Sequence, residues 1–298
     1  MLTHSLQSPT SPVRAVIIGG NGFVGGAVAA NLRARGCQVV SIGRGEVDLL
    51  DPGAPATLAR LLTEDDAIVF ASARAPCRDI GMMVDNMVMV RAVVGALTDV
   101  KPAYLLNISS DAVYGDEPLP ISERHAPAPT TMHGAMHLSR EIALATAFAD
   151  RMASLRPTLI YGASDPHNGY GPNRFRRLAA ANDDIVLFGE GEERRDHVLV
   201  DDVAELAARA VLHRSTGILN AATGEVHSFR TAAELAVSIA GSRSVIRATQ
   251  RNGPMPHNGY RPFDASATHA AFPDFKFTSL PDGMQKVAAQ TGQESRRG

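Results

Sequence analysis

The feature that most constrains this chain is a glycine-rich turn placed between a buried strand and a helix. Residues 15–18 read Ala-Val-Ile-Ile, an apolar run typical of a strand covered on both faces of a parallel sheet. Gly19, Gly22 and Gly25 follow at three-residue spacing, and an amphipathic helix is predicted over 23–35. Glycines let the backbone approach a pyrophosphate, and a helix N-terminus offers unpaired N–H groups. A turn without a ligand is the alternative, but the strand–turn–helix order favours a nucleotide-phosphate site.

Predicted strands and helices alternate through the first half of the chain. The strands fall at 38–42, 67–70, 103–108 and 153–156, and the helices at 55–62, 82–97 and 131–150. This alternation predicts an α/β fold with a right-handed, doubly wound parallel sheet. After Pro157 the pattern loosens, which predicts a smaller C-terminal substrate-binding lobe.

These patterns divide the chain into four parts. We expect a flexible tail over 1–12, a nucleotide-binding domain over 13–160, a mostly substrate-binding lobe over 161–290 with elements that return to the sheet, and a second tail over 291–298. The first tail is polar, contains two prolines and shows no periodicity. The last residues have the same character, and such termini are commonly loose.

Composition narrows the class of protein. The net charge of −2 argues against a general nucleic-acid-binding surface. No apolar stretch is judged to approach membrane-spanning length, so neither nucleic acid nor a membrane is expected as a partner. The two cysteines, Cys37 and Cys77, lie in or beside predicted core segments, and the N-terminus lacks a signal-peptide core. We therefore expect a reduced, cytoplasmic protein.

The end of the second predicted strand bears on the choice of cofactor. An acidic residue there would bind the ribose 2′-hydroxyl of NAD, whereas an arginine would accept the 2′-phosphate of NADP. The chain reads Ser-Ile-Gly-Arg at 41–44, with no acid until Glu46. NADP is therefore favoured over NAD, although Arg44 could equally be a solvated loop residue. Asp48 and Leu49 could contact the adenine or form an ordinary turn.

Further motifs follow the glycine turn in a fixed order. They are Asn86, Ser-Ser-Asp-Ala-Val-Tyr-Gly at 109–115, Arg156-Pro157, Tyr161-Gly162, and segments at 188–191, 194–198, 200–203, 219–222 and 277–283. Together these motifs resemble the extended short-chain dehydrogenase/reductase family, the NAD-dependent epimerase/dehydratase group that acts mostly on nucleotide sugars. The resemblance spans about residues 14–290. It implies that the predicted nucleotide domain is an NAD(P)-binding Rossmann domain.

The resemblance also implies site residues. Cofactor contacts are expected from Gly19, Gly22, Phe23, Val24, Gly25, Arg44, Asp48, Leu49, Ala71, Ser72, Asn86, His137 and Pro157. Substrate contacts are expected from Ser110, Asp111, Tyr161 and Arg195, with Ser110 orienting the reacting hydroxyl and Arg195 meeting a pyrophosphate. Two alternatives stay open: Ser110 could only cap a turn, and Arg195 could only pair with Glu192 or Glu193.

The chain departs from the family at its catalytic pair. The family places a Tyr and a Lys four residues apart on one helix, and the Tyr exchanges the proton of the substrate hydroxyl. Here the two positions are His133 and His137. The only lysines are Lys101, Lys276 and Lys286, and none lies four residues after a tyrosine.

Three hypotheses follow from this departure. His133 could be the acid/base, since an imidazole needs almost no pKa shift to act near neutral pH, and His137 could hold the cofactor ribose. Family-type catalysis could instead be lost, leaving a non-catalytic NAD(P)-binding sensor or regulatory protein. A metal held by His133 and His137, with His125, is disfavoured because that helix offers no further ligand, and no metal is predicted. Tyr114 or Tyr161 could also supply the proton.

The leading expectation is an NAD(P)-dependent oxidoreductase, epimerase or dehydratase that acts on a nucleotide-linked or related sugar. His133 would replace the usual tyrosine as acid/base, with Ser110 and His137 beside it. In the resembled family, the helix at 82–97 and the His133 helix often pair across a dimer interface, so a homodimer is expected.

Overall fold

The computed structural model describes residues 1–294. Its strands are β1 Leu2–His4, β2 Arg14–Ile18, β3 Val39–Ile42, β4 Asp66–Phe70, β5 Tyr104–Ile108, β6 Met152–Pro157, β7 Leu159–Tyr161, β8 Ile185–Phe188, β9 Arg194–Arg195, β10 His197–Leu199, β11 Ser215–Ala221, β12 His227–Ser228, β13 Ile246–Thr249 and β14 Tyr260–Arg261. Its helices are α1 Phe23–Ala34, α2 Ala54–Ala59, α3 Ile80–Val100, α4 Met132–Phe148, α5 Pro172–Ala181, α6 Val200–Leu212, α7 Phe229–Ala240, α8 Ser266–Ala271 and α9 Leu280–Glu294.

The main sheet has seven strands in the order β1-β11-β6-β5-β4-β2-β3. All pairs are parallel except that of β1 with β11. The chain order reverses at β2, which lies between β3 and β4, so a crevice opens at the carboxyl ends of these strands. This confirms the predicted α/β fold with a doubly wound parallel sheet.

Helices cover both faces of the sheet because the central strands are apolar on both sides. Ala15 and Ile17 of β2 face the layer of α1 and α6. Val16 and Ile18 face the layer formed by α2, α3 and α4. All four side chains are 0–1% exposed. The apolar run at 15–18 therefore contributes to two hydrophobic cores, one on each face of the sheet.

A smaller lobe follows the sheet in the sequence. Helices α5, α7 and α9 pack together with the two-stranded sheets β7–β10 and β8–β13 around a core that includes Phe175, Phe229 and Leu280. Strand β11 and helix α6 return to the main sheet. This lobe contributes one wall of the crevice.

The N-terminal segment differs from the expected loose tail. Leu2–His4 adds an antiparallel edge strand beside β11. The His4 imidazole contacts the hydroxyl of Ser215 at 2.8 Å and the carbonyl oxygen of Ala271 at 2.9 Å. Edge strands show little apolar periodicity, and the pairing satisfies backbone groups of β11 that would otherwise remain open. At the other end, 291–294 continue α9, and the rest of the predicted tail lies outside the described residues.

Helix α3, at Ile80–Val100, is longer than the predicted helix over 82–97, and it is strongly apolar. Within residues 1–294 it is the one helix long and apolar enough to cross a membrane, with 39% of its most apolar window buried. The helix packs between α2 and α4 on the sheet. A core helix passes the same test, and Ile80 and Val84 remain exposed on its free side.

Candidate cofactor cleft and active site

A cleft of about 690 Å³ lies at the carboxyl ends of β2, β3, β4, β5 and β6. It brings together most of the residues predicted to bind cofactor or substrate. Those in its wall are Gly19, Gly22, Phe23, Val24, Gly25, Arg44, Asp48, Leu49, Ala71, Ser72, Ser110, Asp111, His133, His137, Pro157 and Arg195.

The glycine turn is too tightly packed for side chains. Gly19 has φ +94°, and a Cβ there would lie 2.7 Å from the backbone nitrogen of Ser72. A Cβ on Gly25 would lie 2.2 Å from the carbonyl oxygen of Gly19. Helix α1 begins at Phe23, and its N-cap residue Gly22 provides no side-chain cap, so the first N–H groups of the helix have no side-chain partner where they border the cleft. The turn therefore fits a pyrophosphate.

The adenosine end of the cleft carries charges of both signs. Arg44 is 74% exposed in its side chain, and its Nε lies 3.6 Å from a carboxylate oxygen of Asp48. The Glu46 carboxylate folds back and accepts the backbone N–H of Gly43 at 2.8 Å. Leu49 is buried in the wall. This arrangement is compatible with either NAD or NADP.

Asn86 has a different place from the one expected. It does not line the cleft; its amide is buried, accepts the N–H of Arg74 at 2.9 Å and donates to the carbonyl of Arg74 at 3.0 Å. Arg74 does line the cleft. Asn86 therefore fixes the loop after β4, and any effect on a cofactor passes through that loop.

His133 and His137 lie one turn apart on α4. Their ring centroids are 4.7 Å apart and their planes meet at 87°. The backbone N–H of Cys77 donates to Nδ1 of His133 at 3.3 Å. A ring nitrogen that accepts a hydrogen bond carries no proton, so the neutral His133 ring carries its proton on Nε2. The imidazole can then donate a hydrogen bond through Nε2–H.

Burial keeps both rings neutral. Desolvation lowers the pKa of His133, and the negative charge of Asp111 opposes this only in part. His137 is more deeply buried, and desolvation lowers its pKa far below the usual range, with the charges of His133 and Arg140 acting in the same direction. Two neutral rings do not repel each other, so the pair is stable as it stands.

A buried guanidinium lies one turn beyond His137. Arg140 is 1% exposed, and it donates to Oδ1 of Asn107 at 2.6 Å and to the carbonyl oxygen of Ser72 at 2.6 Å. A third bond reaches the carbonyl of Phe70, whose ring lies 3.6 Å from the guanidinium carbon. Burial lowers the pKa of Arg140 to about 9. A cation is thus fixed behind the cleft without a hydrogen bond to any carboxylate in the described part of the chain.

Ser110 and Asp111 combine structural and site roles. The Ser110 hydroxyl caps the short 3₁₀ turn Asp111–Val113 by accepting the N–H of Ala112 at 3.1 Å, and it still faces the cleft. The carboxylate of Asp111 accepts from Nε of Arg261 at 3.3 Å. The position of Ser110 is therefore compatible both with capping the turn and with contacting the reacting hydroxyl of a substrate.

Arg195 faces the cleft and also has an anionic neighbour. Its Nη1 donates to Glu193 at 3.2 Å, and its side chain is 12% exposed. The ion pair expected as an alternative is present, yet the guanidinium still forms part of the cleft wall. An arginine in this setting can exchange its partner for a phosphate.

The prediction for Tyr161 is corrected. Its side chain is 2% exposed and belongs to the core of the smaller lobe. The hydroxyl packs closely against Gly283 of α9, because a Cβ there would lie 1.9 Å from it. Burial also raises its pKa. Tyr161 therefore lies in the core of the smaller lobe and not in the wall of the cleft, where it was expected.

Tyr114 is held in a buried network. Its hydroxyl donates to Asn220 at 3.0 Å and accepts from Arg156 at 2.7 Å, while Arg156 pairs with Glu141 at 2.5 Å. Burial raises the pKa of Tyr114. The hydroxyl is thus engaged in two buried hydrogen bonds, while Tyr114 also forms part of the cleft wall.

A metal bound by His133 and His137 would require at least one further ligand, for which His125 is the candidate. Across residues 1–294 no group of three His, Cys, Asp or Glu side chains could hold a metal. Nδ1 of His125 lies 3.0 Å from the hydroxyl of Ser122, and His125 is absent from the cleft wall. The two α4 histidines thus lack a third ligand.

A side pocket of about 240 Å³ opens next to His133, which lines both cavities. His197 forms part of its wall, is 2% exposed, and has no hydrogen-bond partner for either ring nitrogen within the described chain. Desolvation lowers its pKa to about 3, with the charges of Arg195 and His227 adding to the effect. A buried polar ring without partners is costly, and a ligand with a hydroxyl group would satisfy it.

We expect His197→Phe to reduce the sensitivity of folding to acid. The folded-state pKa of about 3 lies below the unfolded value of about 6.5, so the unfolded chain binds the proton first. The stability supplied by the neutral ring is complete above about pH 6.5 and is lost as the pH falls from there toward about 3. Near pH 5 this loss is about 2 kcal/mol.

Urea unfolding near pH 7.5 and near pH 5 measures this difference. The free energy of unfolding falls between pH 7.5 and pH 5, and this fall should be smaller by about 2 kcal/mol in His197→Phe. The exposed His269→Asn serves as the control and should leave it unchanged. An unaltered difference in His197→Phe would refute the neutral, buried state of this ring.

His257 lies in the cleft wall, although no motif in the sequence marks it as a site residue. It hydrogen-bonds Asp116, a residue 141 positions away in the sequence. Only the folded chain reveals such a pair.

Comparisons with known proteins agree with the geometry. A family model described as the NAD dependent epimerase/dehydratase family matches residues 15–222. The chain is 28% identical over 260 residues to dTDP-6-deoxy-L-talose 4-dehydrogenase (NAD(P)(+)) of Kitasatospora kifunensis, covering 78% of this chain and 80% of that one.

Two solved structures share the fold across nearly the whole chain. UDP-glucose 4-epimerase of Thermotoga maritima, solved with UDP-glucose, has a TM-score of 0.82 at 19% identity and covers 95% of this chain and 99% of its own. A GDP-L-fucose synthetase of Naegleria fowleri bound to NADP has a TM-score of 0.83 at 16% identity and covers 98% and 97%. At these identities the likeness concerns the fold.

Proposed function

Because this chain belongs to the NAD-dependent epimerase/dehydratase family, we propose that it binds NADP or NAD and catalyses an oxidoreductase, epimerase or dehydratase reaction on a nucleotide-linked sugar. The observation that carries the proposal is the position of His133, which lines both the cofactor cleft and the side pocket. A group at that junction can contact the reacting oxygen of a substrate held beside the nicotinamide.

The cofactor would be held by residues already described. The first N–H groups of α1 would bind the pyrophosphate, while Ala71, Ser72 and Pro157 would line the path toward the nicotinamide. The chemistry that a bound NADP or NAD would supply here is hydride transfer to or from a carbon of the substrate. The protein itself must bind the sugar, orient the reacting oxygen, and donate or accept the proton of that oxygen.

His133 would act at that oxygen. In the resting ring Nε2 carries the proton, so the side chain begins as a hydrogen-bond donor to a substrate carbonyl or hydroxyl. Acting as a base requires the other tautomer, with a proton on Nδ1, and gives up the hydrogen bond from Cys77. The resting geometry therefore favours hydrogen-bond donation from Nε2–H to the substrate. If His133 also accepts a proton as a base, the ring must first change tautomer.

The substrate would extend from the side pocket along the cleft. Neutral His197 offers one donor and one acceptor, which suits a sugar hydroxyl. Arg195 would pair with the diphosphate, and Ser110 would contact the reacting hydroxyl. The similar Kitasatospora enzyme acts on a dTDP-linked 6-deoxy sugar, which supports the same chemical class here.

A homodimer is part of the proposal. Ile80 and Val84 of α3 and Ile142 of α4 are exposed apolar side chains on helices that pack against each other. Burying such a face in a second copy would remove apolar surface from water. The resembled family commonly pairs these helices, and we expect the same interface.

We expect NADP to bind more tightly than NAD, and Arg44→Ala to reduce that preference. Arg44 is exposed at the adenosine end of the cleft, and Arg33 donates to the Ser41 hydroxyl nearby at 3.1 Å. Loss of one charged contact to a 2′-phosphate should weaken NADPH binding about five- to tenfold and leave NADH binding unchanged. Fluorescence titration measures both affinities, with Arg60→Ala as a control outside the cleft. Equal losses for the two cofactors would contradict the assignment.

Turnover tests the proposed activity. The protein with NADPH or NADH is mixed with UDP-, dTDP- and GDP-linked sugars and their 4-keto derivatives, and the nicotinamide absorbance and the sugar products are followed. A product that depends on the protein supports the proposal. Tight cofactor binding with no turnover of any member would favour a non-catalytic NAD(P)-binding regulatory protein.

A further inference from the structure

Four side chains form a cluster between the loop after β5 and the C-terminal segment, which we call the Arg261 cluster: Asp111, Asp116, His257 and Arg261. Arg261 is 1% exposed. Its Nη1 donates to Oδ1 of Asp116 at 2.5 Å and its Nε to Oδ2 of Asp111 at 3.3 Å. Its Nη2 donates to the Asp111 carbonyl at 3.0 Å. The guanidinium therefore fixes the segment at 256–261 against the loop that carries Ser110.

The backbone at His257 is held in an uncommon conformation. His257 and Asn258 both have φ 51°, in the left-handed region that non-glycine residues seldom adopt. Such a conformation persists only where the surrounding contacts enforce it, and it occurs often at binding sites. Here the Arg261 cluster supplies those contacts, and the result is an imidazole in the cleft wall.

The cluster fixes the proton on the His257 ring. Nδ1 lies 2.5 Å from Oδ1 of Asp116 and 2.9 Å from Nη1 of Arg261. A carboxylate can only accept and a guanidinium can only donate, so the short contact to Asp116 requires a proton on Nδ1. Arg261 then donates to Asp116 and not to the ring. In the neutral ring Nε2 is free to accept a hydrogen bond.

Burial and nearby positive charges keep the His257 ring neutral. Desolvation and the positive charges of Arg195 and Arg261 lower the pKa of His257, and Asp116 opposes them. His257 thus differs from His133: His133 offers a donor through Nε2–H, whereas His257 offers an acceptor at Nε2. A substrate between them would meet two imidazoles of opposite hydrogen-bonding character.

We propose that His257 is a substrate-binding residue whose Nε2 accepts a hydrogen bond from a hydroxyl next to the substrate diphosphate, and that Asp116 is the residue that positions it. This assignment rests on the proposed function. Arg195 is close enough to act electrostatically on His257 and is the expected partner of the diphosphate. The adjacent hydroxyl could belong to the nucleoside ribose or to the transferred sugar, and the chemistry of recognition is the same.

Nitrogen NMR tests the tautomer without any substrate. Long-range ¹⁵N–¹H spectra, with the His257 signals assigned by their loss in His257→Asn, should show a proton on Nδ1 and a free Nε2. Asp116→Asn should shift the population toward the Nε2–H form, because an amide no longer provides the anionic acceptor. A ring protonated on Nε2 in the unaltered protein would overturn the proposal.

His257→Asn is the variant for binding. The Asn amide can replace Nδ1–H as donor to Asp116, and asparagine tolerates the left-handed backbone, but the Nε2 acceptor is removed. Calorimetry with the NADPH-saturated protein compares UDP with UDP-glucose and dTDP with dTDP-glucose. A neutral hydrogen bond predicts about a three- to tenfold loss of affinity. The exposed His269→Asn is the control.

The outcomes separate the sources of the hydroxyl. A loss for UDP and UDP-glucose alike assigns the nucleoside ribose, and a loss confined to the sugar-linked ligands assigns the sugar. Unchanged affinity for every ligand in His257→Asn would overturn the His257 assignment alone. If the unaltered protein bound none of these ligands, the proposed substrate class would fail, and this role for His257 with it.

Discussion

His133→Phe is expected to lower kcat by about 10²–10⁴-fold while NADPH binding stays within about twofold of the unaltered protein. Phenylalanine keeps the ring volume and its packing beside His137, but it removes the only donor that His133 offers to the reacting oxygen. Steady-state kinetics with the active nucleotide sugar and fluorescence titration of NADPH measure the two effects separately.

The pH dependence of kcat/KM tests the protonation state of the same ring. Desolvation lowers the pKa of His133 below its usual value, and only the neutral ring, which has an unprotonated nitrogen, can act as a base. Activity should therefore rise as the pH increases through a value below about 6.5 and remain level above it. Activity that falls over this range would indicate the imidazolium as the working form.

A control variant separates His133 from histidines outside the cleft. His125→Ala removes an imidazole that bonds only within its own loop and should leave kcat unchanged. If His133→Phe retained more than about a tenth of the activity, His133 would have no chemical role. A non-catalytic NAD(P)-binding regulatory role would then be supported only if the unaltered protein were also inactive.

Gly25→Ala is expected to weaken NADPH binding about 100-fold. The new Cβ would lie 2.2 Å from the carbonyl oxygen of Gly19 and 2.8 Å from its carbonyl carbon, so the turn has to open. Opening it moves the first N–H groups of α1 away from the pyrophosphate. Losing one or two charge-assisted hydrogen bonds corresponds to about a 10- to 1,000-fold loss of affinity.

The next glycine provides a matched control on the same helix. A Cβ on Gly26 would lie 3.5 Å from the carbonyl oxygen of Gly20, an ordinary contact. Gly26→Ala should bind NADPH normally and unfold at a slightly higher temperature, because alanine favours the helix by up to about 1 kcal/mol. Fluorescence titration and thermal unfolding of both variants check this contrast. Equal affinities of the two variants would show that the turn does not contact the phosphates.

The sequence predicted the sheet well because each central strand carries its own signal. The apolar run at 15–18 has to be buried on both faces, and the helices that follow each strand impose parallel pairing. The contact between Gly25 and the carbonyl of Gly19 is equally local, since it lies within one strand–helix unit, whereas the packing of Gly19 against Ser72 involves the loop after β4. The local features could be predicted from short stretches of chain.

Other features depend on contacts between distant parts of the chain. Tyr161 is the last residue of β7, whose Leu159 and Ile160 line the cleft, but α9 packs over it and buries its hydroxyl against Gly283. Leu2–His4 becomes a strand only because β11 presents an open edge. The Arg261 cluster joins residues from 111 to 261, and no local pattern predicts such a meeting. Long-range packing decides each of these cases.

The buried cation at Arg140 limits which side chains positions 133 and 137 can hold. A His133→Tyr, His137→Lys variant would carry the pair that the resemblance implies, but it would place an ammonium one turn from a guanidinium that already bears the cost of burial. Such a variant should fold poorly unless Arg140 is also made neutral. The side chains at positions 133, 137 and 140 of α4 are therefore linked electrostatically, because neutral rings at 133 and 137 are compatible with a buried guanidinium at 140.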